Sequence, residues 1–328
     1  MRTIKKLLLA CTLALAVSMG WLAWYASQPL PLAQLPQQFS VTPGTSLNGL
    51  AVQLAKAGIV DHPLAFRILG RVMGKSVTIR AGVYTLEAPI TPADLYRKME
   101  RGEVTQAAIR FIEGWNLREV RGALQASSDL RHDSLAVSDA DLVAAIGARE
   151  SMPEGLFFPD TYFFSPGSSD LDILRRAYRV AQEKLIKAWQ TRAAGLPYLN
   201  PYEALIMASI IEKETGLPEE RPLIAAVFLN RLKLGMRLQT DPTVIYGLGE
   251  HFDGNIRKPD LERDTAYNTY TRKGLPPTPI AMPGEASILA ALNPAQSRAL
   301  YFVSKGNGSH VFSDNLAQHN QAVNRYQR

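Results

Sequence analysis

The first pattern along the chain is an unbroken apolar run, Leu7 to Ala26, preceded by Arg2, Lys5 and Lys6. At 1.5 Å per residue this run is about 30 Å long as a helix, one hydrocarbon core. It predicts a transmembrane anchor (7–26) after a short cytoplasmic tail (1–6). The basic flank stays on the cytoplasmic side, and Trp21, Trp24 and Tyr25 fall where an interfacial aromatic belt would lie. A cleaved signal peptide and a lipoprotein signal at Leu8-Leu9-Ala10-Cys11 are the competing readings. Against them, the apolar run before Cys11 is short, and no small-x-small site follows an h-region of ordinary length.

Beyond Ser27 the pattern changes. Residues 27–38 are rich in proline and glutamine without periodicity and read as an extended linker. Phe39-Ser40-Val41 predicts a strand, and Leu47, Leu50, Ala51 and Leu54 recur at helical spacing up to Gly58. A second helix covers Leu64 to Val72, Gly82 to Leu86 a strand, and Thr91-Pro92 opens a third helix carrying Leu95 and Met99. This is a small α+β module, 39–105. A strand over Gln106 to Ile112, a helix through Leu117, Val120 and Leu124, and mixed structure over 127–152 open the larger domain. The aromatic, proline-broken stretch 154–164 predicts a packed loop or edge strand. Ser169-Asp170 caps a long amphipathic helix to about Arg192.

Asn200-Pro201 starts a helix whose stretch Ala204 to Ile211 is apolar on nearly every face, the pattern of a helix buried on all sides. It runs into Glu212-Lys213-Glu214, stopped by Thr215-Gly216-Leu217-Pro218. At 100° per residue Glu214 shares a stripe with Met207, Ile210 and Ile211, and Glu212 shares one with Leu205, Ala208 and Ser209. Only one of the two can face a given cleft. Both sit at the negative end of the helix dipole, which together with burial raises a carboxyl pKa, as a general acid at neutral pH requires. Solvated helix-end glutamates pairing with Lys213 or Arg221 are the plain alternative.

Composition narrows the function classes. The chain has 328 residues, 46% hydrophobic and 20% charged, with a net charge of +6 and one cysteine, Cys11. That suits one large or two ordinary globular domains and excludes an intramolecular disulfide. Three of the six net charges belong to Arg2, Lys5 and Lys6, so the remainder carries no basic run and no nucleic-acid footprint. With five scattered histidines, no metal site or cofactor is expected.

Met207-Ala-Ser-Ile-Ile-Glu-Lys-Glu-Thr215, Val227-Phe-Leu-Asn-Arg-Leu232, Gly235-Met-Arg-Leu-Gln-Thr-Asp-Pro-Thr-Val-Ile-Tyr-Gly247, Ala266-Tyr-Asn-Thr-Tyr270, Gly274-Leu-Pro-Pro277 and Leu300-Tyr-Phe-Val303 stand in this order. The set resembles the YceG-like (MltG) endolytic murein transglycosylases over nearly the whole chain. The resemblance implies an anchor, a LysM-like module (39–105) and an α+β catalytic domain (106–328), with Glu214 as catalytic acid and Glu212 as the alternative. It implies cleavage of the MurNAc–GlcNAc bond of nascent glycan strands, in which one residue serves as acid and then as base and the sugar's own C6 hydroxyl gives a 1,6-anhydro end. It also implies a bacterial inner-membrane protein with an exported catalytic domain, acting beside penicillin-binding proteins.

Gln239, Thr240, Asp241 and Tyr246, together with Asn268 and Tyr270, are the candidate substrate-binding residues, with Gln239-Thr240-Asp241-Pro242 read as a strand entering a turn. Amides, hydroxyls and flat aromatic faces suit a sugar cleft. Asp241, Asp160 and Asp264 are possible second carboxylates for a muramidase, the alternative enzyme; a non-catalytic wall-binding scaffold is the alternative of another class. Gly306-Asn307-Gly308 predicts a hairpin turn before His310. His310 is expected to be structural, with substrate contact as the alternative; His319, Asn320 and Glu154 are expected to be structural.

Overall fold

An N-terminal helix α1 (Arg2–Ser27) is long and apolar enough to cross a membrane. It opens a mixed helix and sheet protein whose computed structural model describes residues 2–74 and 79–327. Met1 of the expected tail, the Arg2 side chain and Arg328 at the end of the expected catalytic domain lie outside the described residues. The chain divides into one unit of 1–107 with 163–167 and a second of 108–162 with 168–328.

In the first unit α1 is followed by β1 (Gln37–Val41), α2 (Leu47–Lys56), α3 (Pro63–Val72), β2 (Gly82–Leu86) and α4 (Pro92–Arg101), the elements and order that the sequence predicts. Local chemistry sets the helix starts. Ser46 caps α2 by accepting the Gly49 N–H at 3.1 Å, and Thr91 caps α4 through the Asp94 N–H, ahead of Pro92 in the first turn. β1 and β2 pair antiparallel with Phe39 opposite Tyr84. Between strands and helices the sealed side chains of Leu50, Leu54, Phe66, Tyr84, Leu95, Tyr96 and Met99 form the core. Tyr96 stacks on Phe66 at 4.3 Å, and its hydroxyl reaches across to the Phe66 carbonyl. Gly70 has room for no side chain, because a Cβ there would strike the Tyr96 ring.

Two details depart from the sequence reading. Tyr25, placed in the aromatic belt, is 4% exposed and belongs to this core, whereas Trp24 is exposed. The 27–38 segment is not a free spacer: Leu30 is buried in the same core and its N–H bonds the Ile90 carbonyl at 2.8 Å. An apolar side chain in a polar tract is drawn down wherever a core edge lies within reach.

The second unit carries β3 (Ala107–Arg110, whose first residue falls in the first unit), α5 (Leu117–Ala126), β4 (Leu130–Arg131), α6 (Asp139–Ile146), β5 (Thr161–Phe164, shared with the first unit), β6 (Ser168–Ser169), α7 (Asp170–Gln190), α8 (Pro201–Glu214), α9 (Arg221–Lys233), α10 (Asp241–Leu248), α11 (Lys258–Glu262), α12 (Glu285–Leu292), β7 (Tyr301–Ser304), β8 (His310–Ser313) and α13 (Leu316–Tyr326). Its centre is α8, packed by α7, α9, α10 and α12, with every residue from Ala204 to Ile211 buried. Each sealed Leu, Ile or Met there contributes roughly 1.5–3 kcal/mol. Ser209, polar in that wall, is satisfied twice: it donates to the Ile206 carbonyl and accepts the Ile280 N–H. Asn200 caps α8 through the Glu203 N–H, ahead of Pro201. The 154–164 stretch behaves as expected, with Leu156, Phe157 and Phe158 buried ahead of β5. At α7, Ser169 occupies the cap position but its hydroxyl donates to Asp133 at 2.6 Å instead of capping. The β7–β8 hairpin turns through Gly306 and Gly308, both in the left-handed region, and pairs Ser304 with His310.

Candidate active site

Burying α8 on all sides carries its last turn, and with it both glutamates, to the edge of the core. Glu212 turns inward. Its side chain is 6% exposed, takes Arg221 as ion-pair partner at 3.2 Å, and accepts the Gly284 N–H at 2.9 Å. Glu214 turns to a cleft of about 460 Å³, lined also by Arg231, Gln239, Asp241, Tyr270, Tyr301 and His310. The hydroxyl of Thr240 donates to Glu214 Oε1. Burial pushes the Glu214 carboxyl up to about 7; the Thr240 hydrogen bond opposes this, the Asp241 charge adds to it, and His310 and Arg231 pull it back.

The 239–241 segment meets Glu214 in a form the sequence reading missed. It is not a strand: Gln239 has φ 51°, its N–H bonds the Thr269 carbonyl at 3.2 Å, and Thr240 is the residue before α10. Pro242 in the first turn favours that helix start over a strand. Asp241 accepts the Tyr270 hydroxyl at 2.5 Å, which ties two cleft walls together. Burial first, then this hydrogen bond to Asp241, push the Tyr270 phenol well above its ordinary range, so it is a neutral donor.

Of the six expected cleft residues Gln239, Asp241 and Tyr270 line it, Thr240 is buried behind it with its hydroxyl on Glu214, and the other two lie elsewhere. Asn268 is 1% exposed, and its amide donates to the carbonyls of Asp260, Leu261 and Arg263 while its oxygen takes the Tyr270 N–H. Its two amide hydrogens are shared among those three carbonyls and its oxygen is engaged as well, so it shapes the wall from behind. Tyr246 lines a separate cleft of about 790 Å³ with Asn116, Lys213 and Glu154, and its hydroxyl donates to Glu154 Oε2 at 3.0 Å. Glu154 is buried, also accepts the Leu117 and Gly155 N–H groups, and is raised to about 7 by desolvation. Asp264 is an exposed partner of Arg272 and Asp160 an exposed acceptor for the Thr161 N–H, so of the three aspartates Asp241 shares the cleft with Glu214.

Arg231 and Tyr301 are not among the expected binding residues, and His310 enters the expectation only as the alternative to a structural role, yet all three line the cleft. Arg231 is 8% exposed, spends its guanidinium on the Leu300 and Leu238 carbonyls, and lies over the Tyr301 ring at 5.2 Å. Its position just beyond the apolar run Leu223 to Leu229 of α9 is the signal that could have marked it. Among the described residues no group of His, Cys, Asp and Glu could hold a metal ion.

The comparisons with known proteins agree with one another. The model of the YceG-like family matches residues 39–325. An endolytic murein transglycosylase of Bacillus subtilis is 31% identical over 304 residues, covering 88% of this chain and 84% of that one. Another of that name, from Streptococcus pneumoniae, is 27% identical over 314 residues, 85% of this chain and 56% of the relative's length. The crystal structure of a YceG-like protein from Listeria monocytogenes superposes with a TM-score of 0.53 at 28% identity, over 87% of this chain and 98% of the other. A match spanning both units, alike in sequence and in fold, places this chain in the YceG-like family.

Proposed function

We propose that this protein is an endolytic murein transglycosylase: it cleaves the MurNAc–GlcNAc bond of nascent peptidoglycan strands and leaves 1,6-anhydroMurNAc ends, terminating strand elongation. The observation that carries this reading is the Glu214 carboxyl, held protonatable near neutrality on a cleft with Tyr270 and Tyr301. Protonated Glu214 gives its proton to the glycosidic oxygen, and the C6 hydroxyl of the same sugar attacks C1. The nucleophile comes from the substrate, so the paired carboxylates of an ordinary glycosidase are not required. Gln239, Asp241 and Tyr270 bind and orient the sugar around the acid, and Thr240 positions the acid itself. Support comes also from the relatives, which carry the name of this activity.

The anchor 7–26 holds the protein in the inner membrane with the tail 1–6 in the cytoplasm. Segment 27–38 leads to a LysM-like module, 39–105, and the catalytic domain 106–328 works outside the cytoplasm beside penicillin-binding proteins. The strand-helix-helix-strand order of the module supports the LysM-like reading.

Mass spectrometry of peptidoglycan digested by the wild type and by Glu214→Gln tests the reaction. Anhydro-muropeptides from the wild type alone are expected. Reducing-end products, heavier by one water, would make it a muramidase, and binding without products a scaffold.

A further inference from the structure

The cleft that holds Glu214 holds a second proton-handling assembly. His310, at the head of β8, lines it, and Glu220, the residue before α9, grips that histidine with both carboxylate oxygens. Oε1 accepts the His310 backbone N–H at 2.8 Å and Oε2 lies 2.6 Å from Nδ1. The two side chains are 12% and 11% exposed, and Phe302 buttresses the ring edge-on at 5.4 Å. A carboxylate on Nδ1 keeps the proton there, which leaves Nε2 as the basic nitrogen. Nε2 has no partner among the described residues and, unlike Nδ1 of His319, is not sealed from solvent. A carboxylate-oriented imidazole thus presents a free basic nitrogen on the cleft that carries the acid.

The transglycosylase reaction has a step that such a group can serve. When the C6 hydroxyl attacks C1 it must lose a proton, and the Glu214 carboxylate takes that proton only if it can serve both the leaving and the attacking oxygen. Resting on the function proposed above, we propose that His310, oriented by Glu220, is the base: once Glu214 has protonated the departing oxygen and C1 is freed, Nε2 takes the proton of the C6 hydroxyl as it attacks. The bond from C1 to the glycosidic oxygen breaks and that oxygen gains the Glu214 proton. The bond from O6 to C1 forms, and the O6 proton passes to Nε2. Glu220 stabilises the imidazolium, which then releases its proton to solvent while the Glu214 carboxylate takes one back from solvent, so no further reactant is consumed. Besides Glu220, the charged and titratable groups on this cleft are Glu214, Arg231, Asp241, Tyr270, Tyr301 and His319.

The test is the pH profile of anhydro-product formation on purified glycan strands by the full-length chain in detergent micelles. The wild type should show a bell, the acid limb from the base and the alkaline limb from Glu214. His310→Gln should lower kcat by about 10²–10⁴-fold with KM little changed, abolish the acid limb and keep the alkaline one. His310→Ala should regain activity when free imidazole is added. Glu220→Gln, which keeps the ring but frees its orientation, should lower kcat by about 10-fold or more with the acid limb displaced. A His310→Gln enzyme that keeps the acid limb, or one changed in KM alone, overturns the assignment. If His310→Gln does not give a cooperative thermal transition, an unchanged Glu220→Gln profile overturns it instead. Activity retained by Glu214→Gln would remove the underlying reading and not this one alone.

Discussion

Glu212 and Glu214 stand two residues apart on the last turn of α8, and their carboxyl groups are held by different parts of the fold. Glu212 is locked to Arg221 and the Gly284 N–H, whereas Glu214 takes the Thr240 hydroxyl and opens on the cleft. This separation gives the two residues opposite mutational signatures. Glu214→Gln should lower product formation by at least about 10²-fold and leave the fold intact, because an amide oxygen still accepts from Thr240. Glu212→Ala leaves Arg221 buried and unpaired and should cost about 3–5 kcal/mol, read by urea denaturation, with activity in proportion to the folded fraction. Loss of activity in a fully folded Glu212 variant would transfer the acid role to it.

With Glu214 as the proposed acid, activity should fall as pH rises through about 7, since that acid must be protonated and burial holds its carboxyl there. Stability carries the same sign. A carboxyl whose pKa is higher folded than unfolded binds more protons in the folded state, so stability falls as pH rises from the ordinary carboxyl range to about 7 and then levels off. Glu214→Gln should therefore gain stability over the wild type across that window, by up to about 3 kcal/mol. Thermal melts of both proteins at acid and mildly alkaline pH measure it; a gap independent of pH rules the account out.

Glu154 has the same upward displacement and another task. Its carboxyl gathers the Leu117 and Gly155 N–H groups and the Tyr246 hydroxyl, joining the start of α5 to α10. Glu154→Ala strands those donors and should destabilise by about 3 kcal/mol or more. Because α10 begins at Asp241, kcat should fall as well. Amide exchange at Leu117 is the direct probe, and unchanged protection would show that the carboxylate is dispensable.

Gln239, with φ 51°, carries a side chain in the left-handed region beside the cleft. Gln239→Gly should relieve backbone strain and raise stability by up to about 1 kcal/mol, while KM for glycan strands rises because the amide is gone. Unchanged KM would remove Gln239 from the binding surface.

Much of this protein is legible in its residue order where neighbours decide the outcome. The apolar run of α1, the helix starts at Thr91-Pro92 and Asn200-Pro201 and the all-round apolar face of α8 are local features, and each appears where the spacing places it. The family motifs are likewise contiguous words, and the chain's membership of the YceG-like family follows them. At the site, spacing alone says that Glu212 and Glu214 point different ways.

Which of them meets a cleft is decided by partners 9, 26 and 72 residues away, Arg221, Thr240 and Gly284. Periodicity contains no information on such distances. The same holds for Asn268 and Tyr246, whose polar ends suit a sugar but are already spent, one on three loop carbonyls and the other on Glu154. It holds for His310, a turn-flanking histidine in sequence, whose charge environment comes from Glu220, 90 residues earlier. Local propensity shapes the elements because backbone sterics and hydrogen bonds act within a few residues. Burial, hydrogen-bond partners and the resulting proton affinities arise only when distant segments exclude water from one another, so the tertiary structure alone decides them.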